Sequence, residues 1–414
     1  MLYVKDAYLF EDEKPFFWLG DTAWLLFENL SLEEAKTYLK NRYSLGFNVI
    51  QATLLHTLTL KPSLSYFCHC KEIIKFAETL GIYMAILPCW GSYVKEGILN
   101  LDNVNEYINF LSTFFKDCTH LIWVLGGDIR GDFYQEIYNI FGNKLKKAYP
   151  DTLITFHPFG RTGSYLWFHQ ENWLDLNMFQ SGHRRYDQVK LGAWDDQKDN
   201  EDSFGEDNYK YVKKALGLYP LKPCLDGEPS YEGIVQGLHD FKEPYWEARH
   251  IRRYAYWSLF EGACGFTYGN NAIMQFYDGK GEGSYNVRER WQEALHSEGG
   301  AQMQYLKELM LSVNFTKGKT YSDLILNNQE KHHYISSFAG EDFVFVYTYL
   351  GDKLELNLKN YETCILEAYW MNPQNNSRSY ICRLNKINHF TICPPQRREL
   401  SNDWVLILKV IKDE

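Results

Sequence analysis

The chain lacks several features that would place it in other classes of protein. No run of roughly 18 apolar residues occurs in its 414 residues, which predicts no membrane span. Basic residues are fewer than acidic ones, 43 against 53, and the net charge of −10 disfavours nucleic acid and anionic membranes as partners. Its N-terminus has no basic start followed by an apolar run, so no signal peptide is predicted and the expected location is the cytoplasm.

Motifs for metals, cofactors and disulfide frameworks are also missing. The nine cysteines show no CxxC spacing and cannot all pair, which predicts free thiols in a reducing compartment. Cys68 and Cys70 flank His69, but two residues apart on a predicted helix their side chains point in different directions. These cysteines therefore predict no metal site. No glycine-rich phosphate loop follows the first predicted strand, so no cofactor is predicted either.

Aromatic residues, by contrast, are abundant and make up 17% of the chain. Aromatic rings stack on the faces of sugar rings, and they also fill large hydrophobic cores. Composition alone does not choose between these two explanations.

Short apolar segments alternate with helical patterns over the first 313 residues, which indicates βα units around a parallel sheet. Eight segments are predicted as strands: 16–22, 48–55, 83–89, 121–125, 153–156, 174–180, 223–226 and 265–268. Helices are predicted at 32–45, 66–80, 104–115, 133–148, 208–216, 245–260 and 288–311, with a weak helical pattern at 162–172. Eight units in series favour a closed (β/α)₈ TIM barrel as a catalytic domain over residues 1–313.

The pattern changes after residue 317 to short alternating segments separated by turn residues. These segments are 333–337, 342–350, 353–358, 364–370, 389–393 and 405–410. They predict a small C-terminal antiparallel β-sandwich over residues 317–414.

Two carboxylates follow predicted barrel strands in glycine-containing turns. Asp128 comes after the apolar run 121–125 and two glycines, and Glu228 follows the seventh strand and one glycine. Glycines allow a sharp turn and the close approach of a ligand. A carboxylate in this setting is either functional or part of a buried ion pair, for which Arg130 and Arg161 are candidate partners.

Strands four and seven face each other across the mouth of a barrel, which places Asp128 and Glu228 on two sides of a substrate. Such a pair suits glycoside hydrolysis, in which one carboxyl protonates the leaving oxygen and the other attacks the anomeric carbon. A retaining reaction needs the carboxyls about 5–5.5 Å apart, and an inverting one about 6.5–9.5 Å. The acid needs a raised pKa, which desolvation by Trp90 or Trp123 would supply.

Other polar and aromatic side chains at the strand ends are candidate substrate-binding residues. They are Asp21, Trp24, Gln51, Trp90, His157, Gln180, His183, Tyr231, Tyr268 and Asn270. We expect Asp21 to bind a pair of sugar hydroxyls, whereas His157 and His183 are either hydroxyl donors or structural residues. Asp226 lies two residues before Glu228, on the same face of an extended strand, and is predicted to support it by hydrogen bonding. The long segment 181–206 is predicted to form a wall of the cleft.

Several of these motifs together resemble a known family. The motifs are Gly-Asp-Thr-Ala-Trp at 20–24, Gly-Phe-Asn-Val-Ile-Gln at 46–51, Trp-Val-Leu-Gly-Gly-Asp at 123–128, Gln-Ser-Gly-His at 180–183 and Asp-Gly-Glu-Pro-Ser-Tyr-Glu at 226–232. They look like the apiosidase-like barrels of glycoside hydrolase family 140. The segments 369–373 and 403–405 resemble the small β-domain, labelled collagen-binding, that often follows such barrels.

The resemblance implies a retaining glycoside hydrolase. It assigns the acid/base role to the aspartate of the Gly-Gly-Asp motif, Asp128, and the nucleophile to the glutamate of Gly-Glu-Pro, Glu228. A carbohydrate, either a plant-type oligosaccharide or a glycoside, is the expected partner, and the sequence predicts no oligomeric state.

Two other functions remain open at this point. The first is a carbohydrate-binding barrel that has lost catalysis, which the intact carboxylate pair argues against. The second is a metal-dependent hydrolase, but the strand ends supply only His56, His157 and His183, each from a different loop.

Overall fold

The computed structural model describes residues 1–188, 204–395 and 401–411. The chain begins with a three-stranded antiparallel sheet of β1 (Leu2–Lys5), β2 (Tyr8–Glu11) and β3 (Lys14–Phe16). This sheet lies under the N-terminal ends of the barrel strands. Tyr83, which begins the third barrel strand, donates a hydrogen bond to Glu11 at 2.5 Å and contacts the Phe16 ring edge-on.

All eight predicted barrel strands are present, and the predicted barrel fold is confirmed. In chain order the strands are β4 (Trp18–Thr22), β5 (Val49–Thr53), β6 (Tyr83–Leu87), β7 (Leu121–Ile129), β8 (Ile154–Pro158), the two-residue β9 (Thr162–Gly163), β10 (Asn177–Gln180), β11 (Cys224–Asp226) and β12 (Gly265–Tyr268). They form one sheet in the order β8-β7-β6-β5-β4-β12-β11-β10-β9, in which β9 alone runs antiparallel to its neighbour. Asp175 donates its backbone N–H to the carbonyl of Ile154 at 2.9 Å, which brings β8 and the start of β10 together and nearly closes the ring.

Helices surround the barrel, most of them at the predicted positions. They are α1 (Leu26–Asn29), α2 (Leu32–Ser44), α3 (Leu64–Thr79), α4 (Gly91–Lys95), α5 (Val104–Phe114), α6 (Gln135–Ala148), α7 (Tyr165–Phe168), α8 (Asn208–Leu216), α9 (Ala248–Phe260), α10 (Asn271–Met274), α11 (Trp291–Ala294) and α12 (Glu298–Leu311). Ser31 and Glu34 form a capping box at the start of α2, which satisfies N–H groups that the helix itself leaves unpaired. The helix predicted at 288–311 is two helices, α11 and α12. Among the described residues, no helix is long and apolar enough to cross a membrane.

The C-terminal region is the predicted antiparallel β-sandwich. Its strands are β13 (Ile335–Ala339), β14 (Phe343–Thr348), β15 (Leu354–Asn357), β16 (Ile365–Met371), β17 (Arg378–Asn385), β18 (His389–Ile392) and β19 (Trp404–Ile411). Five strands form one sheet in the order β13-β14-β19-β16-β17, and β15 pairs with β18 in the other. Strand β17 was not predicted, because most of its side chains are exposed or half-buried and give no apolar alternation.

Helix α9 joins the β-sandwich to the barrel. Arg252 on this helix forms a buried ion pair with Asp403, with 2.6 Å between Nε and Oδ2. One turn later, the ring of Tyr256 stacks on Tyr347 of β14 with the centroids 4.6 Å apart. The two regions therefore share a packed and hydrogen-bonded junction.

Candidate active site

A cavity of about 210 Å³ opens at the carboxyl ends of the barrel strands. Its lining consists of Trp24, Leu25, His56, Trp90, Asp128, Gln180, His183, Glu228, Tyr231, Ile234, Leu238, Met274, Gln275, Ser284 and Tyr285. Both predicted catalytic carboxylates, Asp128 and Glu228, are in this set. The cavity therefore combines ionisable groups, hydrogen-bonding groups and aromatic faces at the barrel end where such enzymes act.

Asp128 lies on an irregularity of β7 that glycine makes possible. The pairing with β8 shifts register between Gly126 and Ile129, and three consecutive residues have positive φ: Gly126 at 91°, Gly127 at 102° and Asp128 at 48°. A Cβ on Gly126 would lie 2.4 Å from the carbonyl oxygen of His157. Aspartate tolerates the left-handed region better than most residues, so the two glycines and the aspartate together direct the carboxyl into the cavity.

Glu228 follows β11 and is 5% exposed. Its backbone carbonyl accepts hydrogen bonds from the N–H groups of Ser181 and Gly182, at 3.2 and 3.1 Å, which fixes the turn. Two imidazoles bind its carboxylate, one on each oxygen: His157 Nε2 lies 3.1 Å from Oε2 and His183 Nε2 lies 3.0 Å from Oε1. Burial raises the pKa of Glu228, but the contacts with the two histidines outweigh burial and hold that pKa below its usual value.

The two carboxylates and His157 form a compact cluster. One carboxylate oxygen of Asp128, one of Glu228 and one ring nitrogen of His157 all lie within 4.8 Å of one another. Two carboxylates and an imidazole are also ligands that a divalent cation accepts, so the absence of a metal remains a prediction. The cluster brings one oxygen of each carboxylate close to the other at the mouth of the barrel.

The sequence of residues 5–317 matches the family described as "Apiosidase-like, catalytic domain". The chain belongs to this apiosidase-like family. Residues 322–409 of the apiosidase-like protein match a second family, described as "Putative collagen-binding domain of a collagenase". No curated protein matches the sequence.

Two solved structures described as glycoside hydrolases are similar to the apiosidase-like protein along nearly its whole length. One, described as a glycoside hydrolase, is 35% identical over 99% of this chain and 96% of its own, with a TM-score of 0.92. A second, described as a glycoside hydrolase of family 5 from Bacteroides vulgatus ATCC 8482, is 34% identical over 99% of this chain and 93% of its own, with a TM-score of 0.93. The apiosidase-like protein is thus a glycoside hydrolase.

Five of the ten predicted substrate-binding residues line the cavity of the apiosidase-like barrel. They are Trp24, Trp90, Gln180, His183 and Tyr231. The rings of Trp24 and Trp90 meet edge-on with centroids 5.0 Å apart, and Trp90 is only half-buried. These aromatic side chains form one wall of the cavity, where a sugar ring can pack against them.

Asp21 does not reach the cavity, contrary to the prediction that it binds sugar hydroxyls. It is fully buried, and its Oδ2 accepts hydrogen bonds from Arg42 Nε at 2.5 Å and from the Tyr38 hydroxyl at 2.7 Å. Both partners come from α2, so the carboxylate fastens this helix to the first barrel strand. The sequence did not predict this ion pair, because the distance along the chain between Asp21 and Arg42 does not indicate a contact.

Four more predicted binding residues are likewise occupied by protein partners and do not line the cavity. Gln51 donates to the carbonyl of Gly227 at 3.1 Å, and the Tyr268 hydroxyl donates to Glu232 at 2.6 Å. Asn270 caps α10 through its side-chain oxygen. His157 is fully buried and contacts Glu228 rather than open space. These side chains lie behind the lining of the cavity and contact other protein groups there.

Asp226 supports the turn that carries Glu228, as its position two residues earlier suggested. Its Oδ2 accepts hydrogen bonds from Ser181 Oγ at 2.6 Å and from Asn208 Nδ2 at 3.1 Å. Burial, partly offset by these hydrogen bonds, raises the pKa of Asp226 to about 7. The group is therefore close to losing or gaining its proton at neutral pH.

The sequence did not reveal Tyr285, which lines the cavity close to both carboxylates. Burial and the charges of Asp128 and Glu228 raise the pKa of its phenol to about 12. Its backbone has φ 54° and ψ 39°, the left-handed region that tyrosine rarely adopts. Asn271 and Gln275 hold the strained turn, since Asn271 donates to the Tyr285 carbonyl at 3.1 Å and Gln275 binds both the N–H and the carbonyl of Ser284.

Part of the segment 181–206, predicted as a wall of the cleft, contributes to the site. His183 lines the cavity, and its backbone N–H donates to Ser230 Oγ at 2.8 Å. Residues 189–203 of that segment lie outside the described residues.

Proposed function

We propose that this glycoside hydrolase acts with retention of configuration, with Glu228 as nucleophile and Asp128 as general acid/base. The observation that carries the proposal is the separation of their carboxylate oxygens, which is within 4.8 Å in a cavity at the mouth of the barrel. Retaining enzymes hold their two carboxyls about 5–5.5 Å apart, whereas inverting enzymes leave room for a water between them. The distance supports direct attack by one carboxylate.

The reaction would proceed in two balanced steps. In the first, a Glu228 oxygen attacks the anomeric carbon while the bond to the leaving oxygen breaks and Asp128 gives its proton to that oxygen. In the second, Asp128 takes a proton from water, the water oxygen attacks the same carbon, and the bond to Glu228 breaks. Each step inverts the anomeric carbon, so the product keeps the configuration of the substrate.

The environment of Glu228 suits a nucleophile. A nucleophilic carboxylate must be ionised, and the two imidazoles favour the ionised form of Glu228, His183 by a hydrogen bond to one oxygen and His157 by a 3.1 Å contact with the other. Because these contacts use both oxygens, they also fix the plane of the carboxylate relative to the cavity. His157 and His183 are therefore positioning residues in this proposal.

The proposed substrate is a plant-type oligosaccharide or glycoside. A cavity of about 210 Å³ accommodates a single sugar ring at the point of cleavage, with Trp24 and Trp90 offering aromatic surface beside it. Gln180 also lines the cavity and offers an amide group for hydroxyl recognition. Among the described residues, the lining holds amide and aromatic side chains and no lysine or arginine, which favours a neutral sugar.

A screen of 4-nitrophenyl glycosides and plant oligosaccharides tests the activity itself. The configuration of the first sugar released, followed by proton NMR before mutarotation, tests the mechanism. We expect the released sugar to have the configuration of the substrate. Release of the opposite anomer would overturn the retaining mechanism, and binding of sugars without any release would favour a carbohydrate-binding barrel without catalysis.

Two variants test the roles of the carboxylates. Glu228→Gln should remove nearly all turnover on every substrate, because it lacks the attacking charge. Asp128→Asn should slow glycosides with poor leaving groups far more than 4-nitrophenyl glycosides, since only the former need protonation. Asp132→Asn is the matched control, because Asp132 pairs with Arg130 at 2.9 Å outside the cavity lining and should have little effect. Equal losses on both substrate types in Asp128→Asn would contradict the acid role.

A further inference from the structure

A second cavity, here called the side groove, lies beside the catalytic cavity between α3 and α5. Its volume is about 520 Å³. Its lining residues are Leu55, Leu58, Leu60, Pro62, Ser63, Leu64, Phe67, Cys89, Tyr93, Ile98, Leu99, Asn103, Glu106, Tyr107 and Phe110. Eleven of these fifteen side chains are aliphatic, aromatic or proline, so the side groove is an apolar surface at the catalytic end of the barrel.

The side groove and the catalytic cavity share a wall that is one residue thick. Leu55 and Cys89 line the groove, and the next residues in the chain, His56 and Trp90, line the catalytic cavity. The Trp90 N–H donates to the Leu55 carbonyl at 2.8 Å, and the rings of His56 and Trp90 lie 4.7 Å apart. A ligand that passes over these two rings would therefore contact both cavities.

This wall lies on the side of the acid/base residue. A Cβ on Gly127, directly before Asp128, would lie 2.8 Å from Cε3 of Trp90, and a Cβ on Gly91 would lie 2.3 Å from the Gly127 carbonyl oxygen. Trp90 and the start of α4 thus pack against the backbone that presents Asp128. The leaving group departs toward the acid, so the side groove lies where the leaving group would extend.

The lining of the side groove is suited to hydrocarbon rather than to sugar. Leu58, Leu64 and Ile98 are 42%, 64% and 47% exposed, so large aliphatic side chains contact water there. The hydroxyls of Tyr93 and Tyr107 are turned to backbone carbonyls, at 2.8 and 2.6 Å, and present the rings instead. Covering such surface with an apolar group is favourable, whereas a sugar would find few partners for its hydroxyls.

We propose that the side groove binds the apolar aglycone of a glycoside whose sugar occupies the catalytic cavity. This inference rests on the proposed function and adds a substrate class to it: glycosides with an aromatic or long aliphatic aglycone. The groove is concave and within the volume range of small-molecule sites, which favours an aglycone over a protein surface.

Binding of an apolar probe tests the groove without knowledge of the sugar. The probe is N-phenyl-1-naphthylamine, a neutral dye that becomes fluorescent in apolar surroundings. The double variant Leu58→Asp/Leu64→Asp changes two exposed side chains, so the fold should persist. We expect it to weaken probe binding about tenfold or more, since two apolar contacts are replaced by charge. Leu326→Asp, at a 52% exposed leucine of the β-sandwich, is the matched control and should bind the probe like the unmodified protein.

Hydrolysis of methyl and n-octyl glycosides of the same accepted sugar tests the role in catalysis. Their leaving alcohols have similar acidity, so a preference for the octyl compound reports contacts with the chain. We expect the ratio of kcat/KM for octyl over methyl glycoside to exceed one and to fall about tenfold in Leu58→Asp/Leu64→Asp, with the methyl glycoside unaffected.

The outcomes separate the two proposals. If methyl and octyl glycosides are hydrolysed equally well, or the double variant leaves their ratio unchanged, the aglycone site is wrong while the hydrolase remains. If no glycoside is hydrolysed, the proposed function fails and the aglycone role fails with it. Probe binding that the double variant retains would show that the side groove is not an apolar ligand site at all.

Discussion

Nε2 of His157 lies 3.1 Å from Oε2 of Glu228, at a point where the imidazole is fully buried. The same ring packs edge-on against Trp24, with the centroids 5.2 Å apart. The tryptophan that lines the cavity and the carboxylate that reacts in our proposal are thus linked through one histidine. The chief effect of His157 is to favour the ionised form of Glu228.

Replacing His157 should shift the pH dependence of activity. In His157→Phe the imidazole contact with the Glu228 carboxylate is lost, so the pKa of Glu228 rises and the group becomes protonated at a higher pH. The rise should not exceed the contribution of a hydrogen bond to a charged group, about 1.5–3 kcal/mol, which corresponds to about one to two pKa units. The acid limb of the kcat/KM profile should move to higher pH accordingly.

Two comparisons make this measurement specific. His157→Gln retains an N–H donor and should restore part of the original profile. His69→Gln changes a histidine of α3 whose Nε2 contacts the Leu30 carbonyl, and should leave the profile unchanged. An acid limb that stays in place in His157→Phe would argue against the positioning role.

Tyr285 should show opposing effects on stability and activity. Tyr285→Gly relieves a left-handed backbone conformation that costs a tyrosine about 1–2 kcal/mol, which offsets part of the packing lost with the ring. We expect the free energy of unfolding to change little while kcat/KM falls at least tenfold, because the side chain lines the cavity that holds the two carboxylates. Tyr285→Phe separates the ring from the hydroxyl. Full activity in the glycine variant would show that the side chain does not contact substrate.

Asp226 should make the protein less stable as pH rises from about 4 to 7. Its folded pKa, about 7, lies above the usual value of 3.8, so the folded state binds a proton that the unfolded state releases over this range. The stability associated with that proton is fully present below pH 4 and is lost as pH rises through 7. Its upper bound is about 4 kcal/mol, from about three pKa units.

Urea denaturation across this pH range measures the effect. Asp226→Asn cannot titrate and can still accept hydrogen bonds from Ser181 and Asn208, so its stability relative to the unmodified protein should increase with pH. A constant difference between the two proteins would place the pKa of Asp226 near its usual value.

The ion pair between Arg252 and Asp403 should be far more sensitive to single than to double replacement. Both side chains are at most 1% exposed, so Asp403→Leu leaves a buried guanidinium without its carboxylate, at a cost of about 3–5 kcal/mol. Arg252→Met together with Asp403→Leu should recover most of this loss, because no charge is then buried. Thermal unfolding of the single and double variants measures the coupling. Additive losses would indicate that the two residues do not act as a pair.

The barrel was readable from the sequence because each of its strands is buried along most of its length. Buried parallel strands appear as apolar runs, and the helices between them carry caps such as Ser31. The first three strands were missed, since they are three or four residues long and only partly buried, too short to show a period. The split between α11 and α12 was also missed, because helical residues continue across it.

The sequence predicted only part of the site, because the end of a strand indicates where a side chain lies but not which residues it contacts. Trp24 and Trp90 line the cavity as expected, while Asp21 is bound by Arg42, 21 residues further along the chain. A partner on another element is decided by tertiary packing, which no local pattern encodes. Tyr285 was missed for a related reason, since its turn is held by Asn271, which donates to the Tyr285 carbonyl, and by Gln275, which accepts from the N–H of Ser284.

The small sheet at the start of the chain bears on where substrate enters and where product leaves. It covers the end opposite the catalytic cavity, with Tyr83 and Glu11 joined beneath the strands. Because the interior of the barrel is also filled by side chains, substrate uptake and product departure share one portal at the catalytic cavity. A sugar product that stays bound there would block the next glycoside, so this architecture favours competitive inhibition by the released sugar.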